Sequence, residues 1–388
     1  MCLWGAFKRL ALRQRRVKSG PPCDVATPDL LHLILAHVDV GTAMNVRCVS
    51  TLCRDAVTRA GLQPLPGLQQ QRALQALLRT ERATWTPQRQ ADLALTVSRH
   101  PEITEPMRVT LVNWLVELHF KHRTFSERCL HKMVQIVDHY MATVAVGVVG
   151  RRQYQRVGVT AFKIACLEVM RANISIENLA FFTDNSSTVD QIRACEDDLR
   201  AALDGGFFRL PTASDFLPRL CAAAQMRFTL PRPARGTERQ LYPEHCLVFF
   251  FLDVAALCRD TSSLPPSLLA AAAIVGALRV LSLPTWTPQL EYYSTHARAP
   301  VHALADRLEG VALTLQAPAL EAKYQRPRWG GSDEAAGVQG CWHVIAAYLD
   351  QKRAAQAASA RQRAAAAGGD STTHGTRNSQ RDETFRVP

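Results

Sequence analysis

No run of about 18 uncharged apolar residues occurs in this sequence, so it offers no obvious membrane-spanning helix. The nearest stretch, Leu264 to Leu283, is broken by Pro265, Pro266 and Arg279. The N-terminus lacks a signal-peptide core, because Lys8, Arg9 and Arg13 divide its apolar residues. Eleven cysteines are present, but Cys-x-x-Cys pairs and zinc-ribbon spacings are absent. That usage implies reduced thiols in the cytosol or nucleus. Strand signals are scarce. Val144–Val149 is the best β-like run, and it ends in Gly150-Arg151-Arg152 with no partner run nearby. Catalytic signatures are missing as well: no Walker loop, no Gly-x-Ser-x-Gly and no His-Glu-x-x-His. No catalytic residue, metal or cofactor is therefore assigned, and the chain reads as a non-enzyme. His119 and His122 lie three residues apart without a third ligand and read as solvent-exposed histidines.

What remains is an ordinary globular composition. The 388 residues are 47% apolar and 21% charged, which excludes wholesale disorder and a fibrous chain. The length allows two or three domains, each with its own core. Charge is unevenly placed. Residues 1–20 carry Lys8, Arg9, Arg13, Arg15, Arg16 and Lys18 with no acid, and residues 352–388 carry seven basic and three acidic groups. Removing these from the totals of 46 and 34 leaves 33 basic against 31 acidic residues in the body. A specific nucleic-acid binder would more often place its basic surface on the folded body. A basic arm fits a nuclear-localisation signal or a solvated tail.

Breakers divide the chain. Gly20-Pro21-Pro22 ends the basic arm (1–22), and a short helical segment follows (23–60). Pro64-Leu65-Pro66-Gly67 opens a linker with an N-terminal helix (61–95). From there to Trp329 the pattern is helical. Leu111, Leu115 and Leu118 recur at helical spacing, as do Leu130, Val134 and Val137. Pro106 suits a helix start and Ser126 an N-cap. The simplest account is all-α, with a small helical trio followed by two successive bundles of about five helices, 96–216 and 217–330. The remainder, 331–388, is Ala/Arg-rich and reads as a largely disordered tail.

Two segments carry resemblances. Residues 27–57 resemble an F-box at Pro28, Leu31, Ile34, Leu35, Val38, Val49 and Ser50, although the leading Leu is missing and Cys53 stands where Trp is usual. A trio of about 35 residues cannot bury enough surface alone and must lean on a neighbour. The segment Met107-Arg108-Val109-Thr110-Leu111-Val112-Asn113-Trp114-Leu115-Val116-Glu117 closely resembles the opening of a cyclin box. The likeness continues through Val157-Gly158, Thr183-Asp184-Asn185, Leu210-Pro211-Thr212, Pro266–Ala273, Trp286–Leu290 and Lys323-Tyr324. The whole is similar to the cyclin family in its F-box-bearing, cyclin F branch, in divergent or shortened form, since only about 35 residues separate the two motifs.

The resemblance implies two tandem five-helix cyclin folds and a set of roles. Met107, Leu111, Trp114, Glu117 and Gln155 occupy the hydrophobic patch that docks Arg-x-Leu substrates. Glu196 falls at the kinase-facing Glu position, whereas Leu167 stands where a Lys is expected. Lys163, one turn earlier, and Arg171, one turn later, are not obvious substitutes, so kinase activation is expected to be weak. The expected function is a substrate-recognition subunit of an SCF-type ubiquitin ligase in cell-cycle control. It would grip a Skp-type adaptor and cullin through the F-box, in nucleus and cytoplasm and, by resemblance, at the centrosome. The alternative is a regulatory cyclin that binds and activates a cyclin-dependent kinase.

Overall fold

The computed structural model describes residues 68–121, 126–145, 147–203, 206–226, 243–325 and 341–368. The basic arm and the F-box-like segment, with Pro28, Leu31, Ile34, Leu35, Val38 and Val49, lie outside the described residues. Among the described residues every regular element is helical and no strand occurs, in agreement with the all-α expectation. Val144–Val149 forms no strand among them; Val144 instead closes a helix as its C-cap.

Three N-terminal helices, α1 (Leu68–Thr84), α2 (Pro87–Ala94) and α3 (Thr96–Arg99), lead into the first bundle. The bundle comprises α4 (Glu105–Lys121), α5 (Glu127–Thr143), α6 (Arg151–Met170), α7 (Ile176–Phe182) and α8 (Val189–Ala202). Ser126 caps α5 by accepting from the Arg128 N–H, as its sequence position suggested. Thr188 and Gln191 form a reciprocal capping box at the start of α8. Helix α5 is the central rod: Leu130, Met133, Val134, Ile136 and Val137 are all buried, and α6 is its principal neighbour. Gly158 on α6 lets α4 approach closely. A Cβ there would stand 2.8 Å from Leu111 Cδ1, inside van der Waals contact.

A second bundle follows: α9 (Ala213–Ala223), α10 (Pro243–Leu257), α11 (Pro266–Val280), α12 (Pro288–Ser294), α13 (Arg298–Thr314) and α14 (Pro318–Gln325). Its core lies between α10 and α11, where Gly276 sits 2.9 Å, measured from an ideal Cβ, beneath the Phe251 ring. The boundary drawn at 216/217 falls inside α9. That helix begins at 213 because Thr212 and Asp215 form its capping box, the Thr212 N–H donating to Asp215 Oδ2 at 2.7 Å.

Buried polar groups stitch the two bundles together. The Lys132 ammonium donates to the Leu210 carbonyl at 3.0 Å, and Gln135 donates to the Pro211 carbonyl at 3.2 Å, so α5 holds the connector between bundles. Asp253 on α10 is fully buried. It accepts from Lys323 Nζ at 2.5 Å, from the Tyr324 hydroxyl at 2.6 Å and from His131 Nε2 at 3.1 Å. Lys323 also reaches Glu127 Oε2 at 2.6 Å. One buried cluster thus joins α5, α10 and α14. Helix α1 is anchored too: Glu81 accepts from the Ser267 N–H at 2.7 Å and its hydroxyl at 2.6 Å, capping α11 from outside.

Part of the tail departs from expectation; residues 331–340 and 369–388 lie outside the described residues. Trp342–Gly368 forms one helix, α15, which packs on α11, α13 and α14. Ala, Gln, Lys and Arg are strong helix formers. Ile345 and Leu349 bury on the bundle, and Lys352 pairs with Glu309 at 3.0 Å. The anchored part is the apolar end of the helix; the Ala/Arg-rich residues 353–364 are helical but exposed.

Two buried histidines make stability depend on pH. Burial, reinforced by Arg89 and Lys132, lowers the His139 pKa to about 3. Its ring lies between Trp85 (centroids 5.5 Å apart) and Phe207 (4.9 Å). Burial likewise lowers His245 to about 4. Both pKa values sit below the unfolded value near 6.5, so between the two limits the unfolded chain binds more protons. Stability then falls as pH drops below about 6.5, by roughly 2 kcal/mol per histidine between pH 7 and pH 5. Urea midpoints at the two pH values will read this loss, and His139→Phe will remove about half of it.

Candidate functional site

Two surfaces of the first bundle gather the residues singled out in the sequence. The first lies along α4. Met107 and Trp114 are half-buried at the surface, seven residues apart on one stripe. Leu111, between them, is buried beneath α6 against Gly158 and is part of the core rather than an open contact. Gln155 stands one turn before Gly158 on α6, half-buried, and its Oε1 accepts weakly from the Ser186 hydroxyl at 3.5 Å. Ser186 belongs to the turn after α7, where Asp184 and Asn185 take left-handed backbone (φ 51° and 57°), a conformation these two residue types tolerate. Glu117 ends the stripe and pairs with Lys121 at 2.8 Å. That exposed i,i+4 pair is worth little, so the carboxylate can exchange partners readily.

Sequence reading missed Phe181. It is 70% exposed on α7, a short helix whose buried side is Leu179, Ala180 and Thr183. The helical period carried that signal, because position 181 falls outside a buried face formed by 179, 180 and 183.

The second surface lies where α6 and α8 meet. Lys163 Nζ stands 2.6 Å from Glu196 Oε2, with 11% and 12% of the two side chains exposed. Arg200 donates to Glu196 Oε1 through Nε at 3.2 Å and through its terminal nitrogen at 3.0 Å. Burial alone would raise the Glu196 pKa, but hydrogen bonds and charge from Lys163 and Arg200 outweigh it and hold the carboxyl below its usual range. A carboxylate has about four acceptor positions, of which Glu196 uses three, and an ammonium has three donors, of which Lys163 spends one here. The pair can therefore still donate and accept toward an incoming main chain. Leu167 lies one turn beyond Lys163, half-buried. The lysine set aside in the sequence reading is thus the one brought beside Glu196.

His119 is buried, not exposed as expected, and its Nε2 bonds the Ser126 carbonyl at 3.0 Å. His122 lies outside the described residues. Among the described residues no group of three His, Cys, Asp or Glu side chains could hold a metal, and no helix is long and apolar enough to cross a membrane.

Residues 73–205 match the cyclin N-terminal domain, and residues 211–335 match the cyclin C-terminal domain. The chain is 30% identical over 198 residues to the G2/mitotic-specific cyclin-B1 of Anguilla japonica and 31% identical over 200 residues to cyclin-B1-3 of Arabidopsis thaliana. Each match covers 51% of this chain and 44% of the relative, so the chain spans about half the length of the curated relatives it matches. Among solved structures, a viral cyclin from herpesvirus saimiri superposes with a TM-score of 0.48 at 19% identity, over 61% of this chain and 97% of that one.

Proposed function

From its place in the cyclin family, to which this chain belongs through both of its domains, we propose that it is a regulatory subunit that binds and activates a cyclin-dependent kinase in the control of cell division. Cyclins are non-catalytic partners, and the absence of catalytic signatures in the sequence is consistent with that role. The Lys163–Glu196 pair carries the reading. The family resemblance implies a Lys and a Glu offered together to the backbone of a kinase helix. Leu167 occupies the expected Lys position, yet Lys163 delivers an ammonium 2.6 Å from Glu196 from one turn earlier. Charge-assisted bonds of this kind can orient a partner helix at low cost, because the pair is already assembled. The α4 stripe then serves as the docking place for substrate peptides, with Met107 and Trp114 as apolar ledge and Glu117 for a basic residue.

The ubiquitin-ligase adaptor reading rests on Pro28, Leu31, Ile34, Leu35, Val38 and Val49. The domain matches begin at residue 73 and lend those positions nothing. The mitotic names of the relatives favour the kinase partner instead. Tagged full chain recovered from dividing cells will carry a cyclin-dependent kinase in near-equal amount. Recovery of a Skp-type adaptor and cullin without any kinase would replace this reading with the adaptor one.

A further inference from the structure

A cleft of about 80 Å³ lies between the two bundles, where α4 and α5 face α10 and α11. Trp85, Val134, Leu252 and Leu269 give it apolar walls, and Arg108, His131 and His139 add polar atoms to them. These three polar side chains are at most 8% exposed, and each has hydrogen-bonding capacity left over. Arg108 commits three of its five N–H groups and keeps two. Two of the three go to Asp138, at 2.8 and 2.7 Å, and one goes to the Leu257 carbonyl at 3.1 Å. His131 donates through Nε2 to Asp253, and its Nδ1 is buried without a partner. His139 Nε2 is likewise buried without a partner. The cleft is separate from the α4 stripe and the Lys163–Glu196 pair, none of whose residues line it.

We propose that this cleft is a binding site for the neutral carboxamide head of a small ligand. Water alone suits it poorly, because a buried water needs two to four polar partners and most of these walls offer none. The adjoining cavity of about 20 Å³, which shares Arg108 and Asp138 and adds His100, Thr104 and Tyr154, is the right size and polarity for a single water. Charge decides the ligand's sign. Asp138 already balances Arg108 at 2.7 Å, so a further ion would be enclosed without a counter-charge. A neutral head must bring lone pairs for the spare Arg108 N–H groups and N–H donors for the ring nitrogens. Burial keeps His139 uncharged, which leaves one bare nitrogen on its ring, and the neutral His131 ring, donating through Nε2, accepts at Nδ1. A primary carboxamide carries two N–H donors and a carbonyl in one plane, whereas an alcohol brings a single donor. The volume fits a head with a short stem: it is about half that of a cavity known to admit benzene, roughly 150 Å³. The head can belong to a free amide or to the Asn or Gln side chain of a bound peptide.

The full chain, with isotope-labelled histidine rings, is titrated with propionamide and followed by NMR. The His131 and His139 ring resonances shift together and saturate in the low-millimolar range, ordinary for so few atoms. Butan-2-one, which keeps the size and the carbonyl but has no N–H, and propionate, which carries a charge, each bind at least about tenfold more weakly. His139→Phe keeps a ring between Trp85 and Phe207 and weakens propionamide about tenfold, read at His131. Ala256→Phe, at a half-buried position in the cleft wall, fills the space and abolishes binding while leaving the polar atoms in place.

N-acetylglutamine methylamide presents the same head on a peptide unit. Binding at least as tight as that of propionamide assigns the head to a peptide side chain, and exclusion assigns it to a free amide. Equal binding of propionamide and butan-2-one, unchanged affinity in His139→Phe, or no saturable shift, as for a cleft filled by water, each overturns the proposal.

Discussion

Asp253→Ala will destabilise the chain by about 3–5 kcal/mol, a large share of the stability of an ordinary domain. The substitution leaves the Lys323 ammonium, fully enclosed, with Glu127 alone as counter-charge. It also removes the acceptor for the Tyr324 hydroxyl and for His131 Nε2. A buried charge stripped of its partner retains its desolvation cost without the compensating attraction, which is why breaking such a pair costs more than deleting it. The double variant Asp253→Leu with Lys323→Met will therefore recover part of the loss. Urea unfolding followed by circular dichroism checks the order: wild type, then the double variant, then Asp253→Ala. The cluster has its own pH signature. Burial would raise the Asp253 pKa, but Lys323 and His131 bring it down to about 2. The folded carboxyl thus binds its proton less readily than the unfolded one. Its contribution is present above the unfolded carboxylate value near 4 and is lost as pH falls toward 2, whereas the losses from His139 and His245 begin near pH 6.5.

Glu196→Arg will weaken kinase association by at least about 100-fold, or roughly 3 kcal/mol. The change removes the acceptor shared by Lys163 and Arg200 and places a third cation between them. The partner then meets like charge where an acceptor had been, and Lys163 loses the group that orients it. Lys163→Ala will cost less, about tenfold, because Glu196 stays held by Arg200. Leu167→Lys adds a second ammonium beside a carboxylate that has one acceptor position left, so its gain is small. Titration of each variant against purified kinase separates these outcomes. Unfolding curves on the same variants separate lost stability from lost recognition, because the two side chains are only 11% and 12% exposed midway along α6 and α8.

The long helices were legible because burial imposes a period. Leu111, Leu115 and Leu118 on α4, and Leu130, Val134 and Val137 on α5, face the core at three- and four-residue intervals, and all but one of the six are at most 5% exposed. The cap at Ser126 was an equally local signal. The contacts that define the surfaces were not. Lys163 and Glu196 are 33 residues apart, and Lys323 and Asp253 are 70 apart. Such pairs depend on how two helices rotate against each other, which no local period encodes. Lys163 illustrates the point: counting along the chain sets it one turn from the expected position, yet it is the residue that meets Glu196. His119 was misread because a polar residue was assumed to face solvent, whereas Ser126, the N-cap of α5, offers it a carbonyl. Helix α15 was misread because its apolar end, which carries the anchors Ile345 and Leu349, was grouped with the Ala/Arg-rich tail.

Calorimetric titration of the purified full chain into a purified cyclin-dependent kinase, paired with an assay of that kinase's peptide phosphorylation, tests the proposed role most directly. The account predicts one-to-one binding at submicromolar concentration (about 8 kcal/mol or more), phosphorylation that rises with occupancy, and loss of both in Glu196→Arg. No heat of binding to any such kinase, with saturable binding to a Skp-type adaptor in the same cell, would contradict it.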